Sequence, residues 1–490
     1  MAISDLRTFL HNLEALGELK RISGAALEYE IGAISELAFE KSGPALLFDQ
    51  VKGYPPNYGI AVNVCSTQRR SLLAVGMDPN AAEAEAMRNW RARWDAYKPI
   101  PPRFVTGGPV LDNVQNGADV DLFKIPVPIW HELDGGAYIG TGLAVVLRDP
   151  DKGWVNLGSY RLQRHDHNTT GFFCEPENDG AAIIRKYWRQ GKAAPVAVSL
   201  GPEPIVFLTA SGSTGCPPGV PEYDFAGFIM GEPIEVIEGP VTGLPISARS
   251  EIAIEGEVLP PEVEARPEGP FGEWTGYYAP GGVPEPVLRV KALYHRNDPI
   301  LFGAPPFKPH RDAYSFSLPM RTVTRLGDRL LKEGLPVRRV TDTVKMGAVV
   351  ISVHQENEHD VDRIMKVIDK VKPPTRLFIL VDDDVNPEDP LEVLWAIGTR
   401  FDPITGVRAS VTQSAWLLDP MRTTNQRAGH AAQPYKRLII NGCRPFERLK
   451  DFPPVNKLSE PRRQETWTKW KMSEWLMTPS RGVMFSEAVH

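Results

Sequence analysis

Cysteine is scarce in this chain. The four present, Cys65, Cys174, Cys216 and Cys443, are far apart and make no C-x-x-C pair, which argues against a disulfide frame and for reduced thiols. No apolar run reaches the roughly 18 residues of a membrane span. The first residues, Met-Ala-Ile-Ser-Asp-Leu-Arg, lack the basic stretch and apolar run of a signal peptide. Surplus positive charge is missing too: 55 basic against 61 acidic residues give a formal net charge of −6, so no nucleic-acid partner is expected. Neither a G-x-x-x-x-G-K-[ST] phosphate loop nor a G-x-G-x-x-G turn after a strand occurs. There is no internal repeat and no low-complexity segment. These absences lead us to expect a cytoplasmic protein.

What is present fits two or three domains in 490 residues, with 42% hydrophobic and 24% charged positions. The 46 prolines and 42 glycines point to many turns and a β-rich region. Up to about residue 103 the pattern reads as a small α/β lobe. Ser4 is positioned to cap a helix carrying Leu6, Phe9, Leu10, Leu13 and Leu16. Strands are expected at 45–48 and 59–64, and a helix at 80–97. Over 104–316 short apolar runs alternate with Gly/Pro turns, as in a barrel or sandwich, with runs at 140–147, 194–200, 205–208 and 287–294 and one helix at 181–190. Over 317–455 helices (320–333, 358–371, 391–399) alternate with strands (348–353, 377–381), which argues for an α/β sheet domain. The tail, 456–490, holds an amphipathic helix with Trp467, Trp470 and Trp475.

The densest chemistry lies in Glu268-Gly-Pro-Phe-Gly-Glu273. Proline and two glycines make a stiff turn that can aim both carboxylates into one cavity. Carboxylates sharing a cavity repel, so one tends to hold a proton. A second patch, Asn156-Leu157-Gly158-Ser159-Tyr160-Arg161-Leu-Gln163, can supply the cation such a pair needs. Its residues suit a strand over 154–163, with a bulge at Gly158 bringing Asn156 and Arg161 to one pocket; a solvated Arg on an edge strand is the plainer alternative. Glu222, at a helix start, suits either the helix dipole or a hard cation. His165 and His167 form an H-x-H pair that on a strand would share one face and could hold Zn or Fe, unless Asp166 and Asn168 make a polar loop of it. Asp382-Asp-Asp384 follows a strand, where α/β sheets bind ligands or simply turn into a helix. Ser211-Gly-Ser-Thr-Gly215 is a candidate phosphate cradle.

In order along the chain, Asn156…Tyr160-Arg161-x-Gln163, Glu222-Tyr-x-Phe-Ala-Gly227, Glu251-Ile-x-Ile-Glu-Gly256, Glu268-Gly-Pro-Phe-Gly-Glu-Trp-Thr-Gly-Tyr277, and Val381-Asp-Asp-Asp-Val385 followed by Trp395-Ala-x-x-Thr-Arg400 resemble the UbiD family of decarboxylases. The resemblance implies a mixed α/β fold: an N-terminal lobe, a central split β-barrel related to flavin reductases, and a C-terminal oligomerisation domain. It implies a prenylated FMN cofactor, made by a separate flavin prenyltransferase and held with Mn²⁺ and K⁺ at its phosphate. It implies reversible removal of CO₂ from an aromatic, heteroaromatic or α,β-unsaturated acid by a homodimer or homohexamer. Loss of CO₂ from an sp² carbon leaves an in-plane electron pair that side chains alone cannot absorb, which is why a covalent electron sink is needed.

Carried over by position, the family's Glu-Arg-Glu network falls on Arg161, Glu268 and Glu273, with Glu273 as the acid. Asn156 and Glu222 become metal ligands. Leu157, Gly158, Ser159, Tyr160, Gln163, Ser213 and Thr214 line the cofactor. The histidine that usually completes the metal set is absent, leaving Glu177 or Asp179 in its place. His310, Arg311, Arg422 and Arg427 suit a polar substrate or plain surface charge. The alternatives are a metal-dependent lyase or hydrolase built on His165 and His167, and a non-catalytic flavin-binding subunit.

Overall fold

The computed structural model describes residues 3–81, 83–308, 326–344, 348–371, 375–414, 416–423 and 432–472. The chain divides into two compact units, Met1–Leu326 with Val411–Lys436, and Gly327–Ser410 with Arg437–His490.

The first unit begins with the helix Leu6–Ala15, which buries Leu6, Phe9, Leu10 and Leu13 at the expected spacing, while Leu16, the fifth expected position, caps its end and is only partly buried. Its cap is Asp5 rather than Ser4: the Asp5 carboxylate accepts the Thr8 amide at 2.8 Å while Thr8 Oγ1 accepts the Asp5 amide at 3.0 Å. Strands Leu19–Ser23, Ala45–Gln50 and Gly59–Val62 form a small sheet with Ile300–Gly303, a strand from far along the chain.

The central sheet runs in the order Ala265–Glu268, Val283–His295, Ile252–Val258, Ala194–Leu200, Leu143–Arg148, Val155–Gly158, and Asn113–Asn116 and Thr169–Gly171 also pair with the long strand Val283–His295. Alternate side chains enter different cores. Leu143, Val145 and Leu147 pack with Val196, Val198, Ile252 and Ile254, whereas Ala144 and Val146 pack with Ala197, Ala253 and Ala292. Such a sheet is buried on both faces, so its strands read as continuous apolar runs instead of alternating ones. Among the described residues its path does not close into a barrel. The run at 205–208 is not a strand: Pro204–Ala210 is a wholly buried helix, with Phe207 packed on Phe302 at 4.8 Å. A short apolar run cannot distinguish strand from buried helix by periodicity alone, and Pro204 at the first helical turn decides it.

The second sheet has the order Val337–Val344, Ala348–Val353, Leu377–Asp382, Gln433–Asn441, Val407–Ser414, with helices Asp360–Ile368 and Pro390–Arg400 between its strands in sequence. The acidic run here is structural. Asp382 accepts from Arg400 Nη1 (3.0 Å), the Arg444 amide (2.7 Å) and Gln355 Nε2 (2.7 Å), and Asp384 accepts from both terminal nitrogens of Arg400, Nη1 and Nη2. The expected helix at 320–333 is described only from residue 326, where 326–332 are helical. The tail helix spans Glu460–Lys469; Trp470 behind it is exposed, and Trp475 lies outside the described residues. No described helix is long and apolar enough to cross a membrane.

Candidate active site

Arg161 reaches the site because a strand stops early. The expected strand over 154–163 is only Val155–Gly158, and no bulge is needed. Tyr160 folds back over Gly158, where a Cβ would stand 2.2 Å from the Tyr160 hydroxyl oxygen, and the chain leaves the sheet there. Arg161 then bridges Phe173 as an isolated β pair, and its guanidinium lies 3.9 Å above the Phe173 ring.

The two glutamates meet it. Glu268 ends the strand Ala265–Glu268, and its carboxylate receives Arg161 Nε at 2.8 Å and Nη2 at 2.6 Å, a bidentate fork. Glu273 follows the short strand Phe271–Gly272 and takes Arg161 Nη1. All three side chains are buried. The stiff turn between the glutamates therefore does what its composition suggests, delivering both carboxylates to one guanidinium.

The turn rests on a segment that no motif marked, residues 131–138. Tyr138 donates its hydroxyl to Glu268 Oε1 at 2.8 Å. The Gly135 amide donates to the Pro270 carbonyl at 2.7 Å, and the Gly272 amide to Asp134 Oδ1 at 3.0 Å. Gly135 approaches so closely that a Cβ there would lie 2.0 Å from the Gly269 carbonyl oxygen. Gln163 joins the two segments, accepting the Gly269 amide at 2.9 Å and donating to the Gly135 carbonyl at 2.9 Å. Gln163 thus supports the turn from beneath. The Asp-Gly-Gly of 134–136 was the one available signal, and it reads as an ordinary turn.

Burial and charge set the protonation pattern. Burial raises Glu273, against the lowering pull of Arg161 and with Glu268 adding to the rise. Arg161 stays charged because the two carboxylates outweigh its burial. Two further carboxyls stand within electrostatic reach. Glu175, which accepts the Leu418 amide at 3.3 Å, is pushed up to about 7 by burial and by Glu273. Glu285, on the long central strand, is pushed up to about 7 by burial and by Glu268. Beside Glu273, Trp274 stacks on Trp416 with centroids 5.1 Å apart. Neither Glu175 nor Glu285 lies in any recognisable motif.

A second cluster surrounds Asn156. Glu222, the first residue of the helix Glu222–Met230, accepts Asn156 Nδ2 at 3.1 Å and the Leu157 amide at 2.9 Å. The Asn156 Oδ1 atom is buried with no hydrogen-bond partner. Burial pushes the Glu222 carboxyl up to about 7, and Asp179 adds to the rise. An orphaned amide oxygen beside an uncompensated carboxyl is a donor set suited to a hard divalent cation. Asp179 opens the helix Asp179–Arg189 and Glu177 lies in the turn before it; both are exposed. Ser213 and Thr214 are buried behind Pro204–Ala210, and Ser211 Oγ donates to Ser213 Oγ at 2.7 Å. Ser159 Oγ donates to the Thr141 carbonyl at 3.2 Å. The Tyr160 ring is packed in the core against Phe172, so only its backbone remains for a cofactor.

His165 and His167 do not form a metal pair. His167 is exposed on Asp121 and against Phe123, whereas His165 Nε2 is buried near Gly171. They occupy a polar loop, so the strand face they needed is missing. No group of three or more His, Cys, Asp or Glu side chains gathered for a metal occurs among the described residues. Of the basic residues considered for substrate, Arg422 is buried on the Ser414 carbonyl, and His310, Arg311 and Arg427 lie outside the described residues.

Comparison with known proteins bears on this geometry. Family models for the 3-octaprenyl-4-hydroxybenzoate carboxy-lyase N-terminal domain, its Rift-related domain and its C-terminal domain match residues 10–89, 103–309 and 329–441. The chain belongs to the UbiD family of carboxy-lyases. UbiD relatives include a phenolic acid decarboxylase of Streptomyces sp. (strain D7), 32% identical, with 82% of this chain and 85% of that protein covered. They also include a pyrrole-2-carboxylic acid decarboxylase of Pseudomonas aeruginosa, 32% identical over 82% of this chain and 84% of its own length. Among solved structures, the vanillic acid decarboxylase of Sedimentibacter hydroxybenzoicus superposes with a TM-score of 0.80 at 27% identity, covering 97% of this chain and 99% of that one. The UbiD-class enzyme HmfF of Pelotomaculum thermopropionicum, solved in complex with FMN, gives 0.80 at 25% identity, covering 96% and 100%. An evolved dimeric form of HmfF was solved with prFMN.

Proposed function

We propose that this carboxy-lyase removes CO₂ reversibly and without net oxidation from a small aromatic, heteroaromatic or α,β-unsaturated carboxylic acid, using prenylated FMN. The observation that carries the reading is the buried Arg161 held by both Glu268 and Glu273. The relatives act on phenolic acids and pyrrole-2-carboxylic acid, and a related structure holds prFMN, which supports the substrate class and the cofactor.

Asn156 and Glu222 would hold Mn²⁺ at the cofactor phosphate, with Asp179 or Glu177 completing the set and K⁺ near Leu157 and the 211–214 loop. Bound there, the cofactor would supply the electron sink for the pair left when CO₂ departs. The protein would supply charge, placement and one proton. Arg161 spends three N–H groups on the two glutamates and has two more to offer a substrate carboxylate. Glu273, raised by burial, would deliver the proton that replaces CO₂ on carbon, giving RH and CO₂ from RCO₂⁻ and H⁺; water then restores its proton. Glu268 would hold Arg161 in place. The cofactor would come from a separate flavin prenyltransferase, and the assembly would be a homodimer or homohexamer in the cytoplasm with a split-barrel central domain.

The test is Glu273→Gln in the cofactor-loaded enzyme, followed by CO₂ release and by hydrogen–deuterium exchange on the product across a panel of aromatic acids. We expect both to be lost with the fold intact. Exchange at the wild-type rate would remove Glu273 from the role.

A further inference from the structure

His131 lies under the turn that carries Glu273, and both of its ring nitrogens face acceptors. Nδ1 is 3.0 Å from Asp134 Oδ2, and Nε2 is 2.7 Å from the Pro306 carbonyl oxygen. A carbonyl oxygen can only accept. Asp134 also behaves as an acceptor throughout, since Oδ2 takes the His131 amide at 2.9 Å and Oδ1 takes the Gly272 amide at 3.0 Å. Satisfying both ring contacts requires a proton on each nitrogen, which is the imidazolium. Burial opposes that charge, but Asp134, the Pro306 carbonyl and Glu36 outweigh it and raise the ring above its ordinary value.

The ring is tied to the turn by packing as well. A Cβ on Gly272 would stand 2.6 Å from His131 Nδ1, and the Phe271 ring lies edge-on to His131 at 5.6 Å. Phe307 and Tyr278 close its other sides at 5.5 and 6.1 Å. The titratable groups facing it are Asp134 from its own turn, Glu36 from the helix Glu30–Glu40, and Tyr278, which itself lies near Glu132. Gly272 immediately precedes Glu273.

We propose that His131, as an imidazolium, is a positioning residue for Glu273: it fixes Asp134, Asp134 fixes the Gly272 amide, and that amide sets where the next side chain meets Arg161. The proposal rests on the assignment of Glu273 as the acid. When His131 loses its proton, one ring nitrogen turns a lone pair on an oxygen lone pair. The ring or Asp134 must then shift, and the Gly272 contact goes with it. Activity should fall at alkaline pH, through an ionisation that belongs to His131 rather than to any group touching the substrate.

The experiment uses the full-length, cofactor-loaded enzyme and two readouts. Histidine-labelled NMR of wild type, assigned against His131→Gln, reads the ring's own titration without needing turnover. The pH profile of kcat reads the consequence. We expect His131 to titrate above 6.5, and the alkaline limb of kcat to share that midpoint. In His131→Gln that limb should vanish, leaving kcat about 10- to 100-fold lower with KM little changed. Should that variant fail to fold, Glu36→Gln serves, because it removes one facing charge from another element and should move the limb to lower pH. A ring titrating at or below its ordinary value, a limb that persists in His131→Gln, or a limb unmoved in Glu36→Gln would overturn the proposal. A wild type that decarboxylates nothing would count against the enzymatic reading instead, while the NMR titration still decides the charge on His131.

Discussion

Replacing Arg161 with lysine tests the core of the site with the charge conserved. Arg161 makes three hydrogen bonds to two carboxylates while its flat face lies on Phe173. Lysine carries one ammonium on a flexible stem, so it can serve Glu268 or Glu273 well but not both, and it loses the stacked face. One buried carboxylate is left without its cation. Leaving it ionised would cost about 3–5 kcal/mol, the range for breaking a buried ion pair. Taking up a proton costs less here. Each pKa unit is worth about 1.4 kcal/mol, and Glu273 is already raised by its burial. We therefore expect Arg161→Lys to remain folded, with Glu273 protonated to higher pH and displaced from its working position. A displacement on the order of 1 Å removes about 100-fold of activity. Urea unfolding checks the first part, CO₂ release from loaded enzyme checks the second, and the double variant with Glu273→Gln should lose much less than the sum of the two. Wild-type kcat/KM in Arg161→Lys, or strictly additive losses, would refute the three-residue unit.

Three further outcomes follow from the same geometry. Gly135→Ala places a methyl 2.0 Å from the Gly269 carbonyl oxygen, so the turn must move; we expect about 1–3 kcal/mol of destabilisation in thermal melts and a larger proportional loss in CO₂ release. On the proposed metal assignment, Asn156→Ala and Glu222→Gln should abolish Mn²⁺ retention on metal analysis while the far-ultraviolet dichroism stays unchanged. Glu203 is fully buried, is held at about 7 by that burial, and accepts the Ser247 hydroxyl. The folded state therefore keeps a proton that the unfolded chain has lost, so the stability Glu203 contributes should fall as pH rises from about 4.5 to about 7 and level off above, by on the order of 1 kcal/mol per pH unit. Glu175, Glu222 and Glu285, also raised to about 7, add slopes of the same sign, so urea midpoints should fall across that range in wild type and fall less steeply in Glu203→Gln.

Much of the site was legible because it sits in turns whose chemistry is local. Glu268-Gly-Pro-Phe-Gly-Glu273 states its own geometry: the two acids cannot be far apart, and no helix can form between them. The strands 45–48, 194–200 and 348–353 were legible because they are short apolar runs between breakers. What stayed hidden is non-local. Tyr138, Asp134 and Gly135 reach the turn from more than a hundred residues away, and nothing in His-Glu-Leu-Asp-Gly-Gly says which backbone amide Asp134 will accept. The helix Pro204–Ala210 was misread because complete burial erases the periodicity that separates helix from strand. The ordered set of motifs carried the family assignment where single residues did not.

The carboxyls near Arg161 explain one another. Glu268 and Glu273 bind the guanidinium directly, and Glu175 and Glu285 lie within its field. One buried cation cannot stabilise four anions, two of them buried and two half-buried. Coulomb repulsion at short range in a weakly polarisable interior is worth several kcal/mol per pair unless a proton intervenes. Burial first, and repulsion from a neighbouring carboxylate second, raise Glu175, Glu273 and Glu285 and so favour that proton. A site arranged this way stays near neutral charge while its substrate, itself an anion, enters. With Glu273 as the proposed acid, it also holds protons beside the carbon that takes one up. Replacing RCO₂⁻ by RH takes up a proton in every cycle. On the proposed assignment, Glu175 and Glu285, raised to about 7, would meet that demand without leaving an unpaired charge behind, and a fully ionised pair of Arg161 with a single glutamate would not.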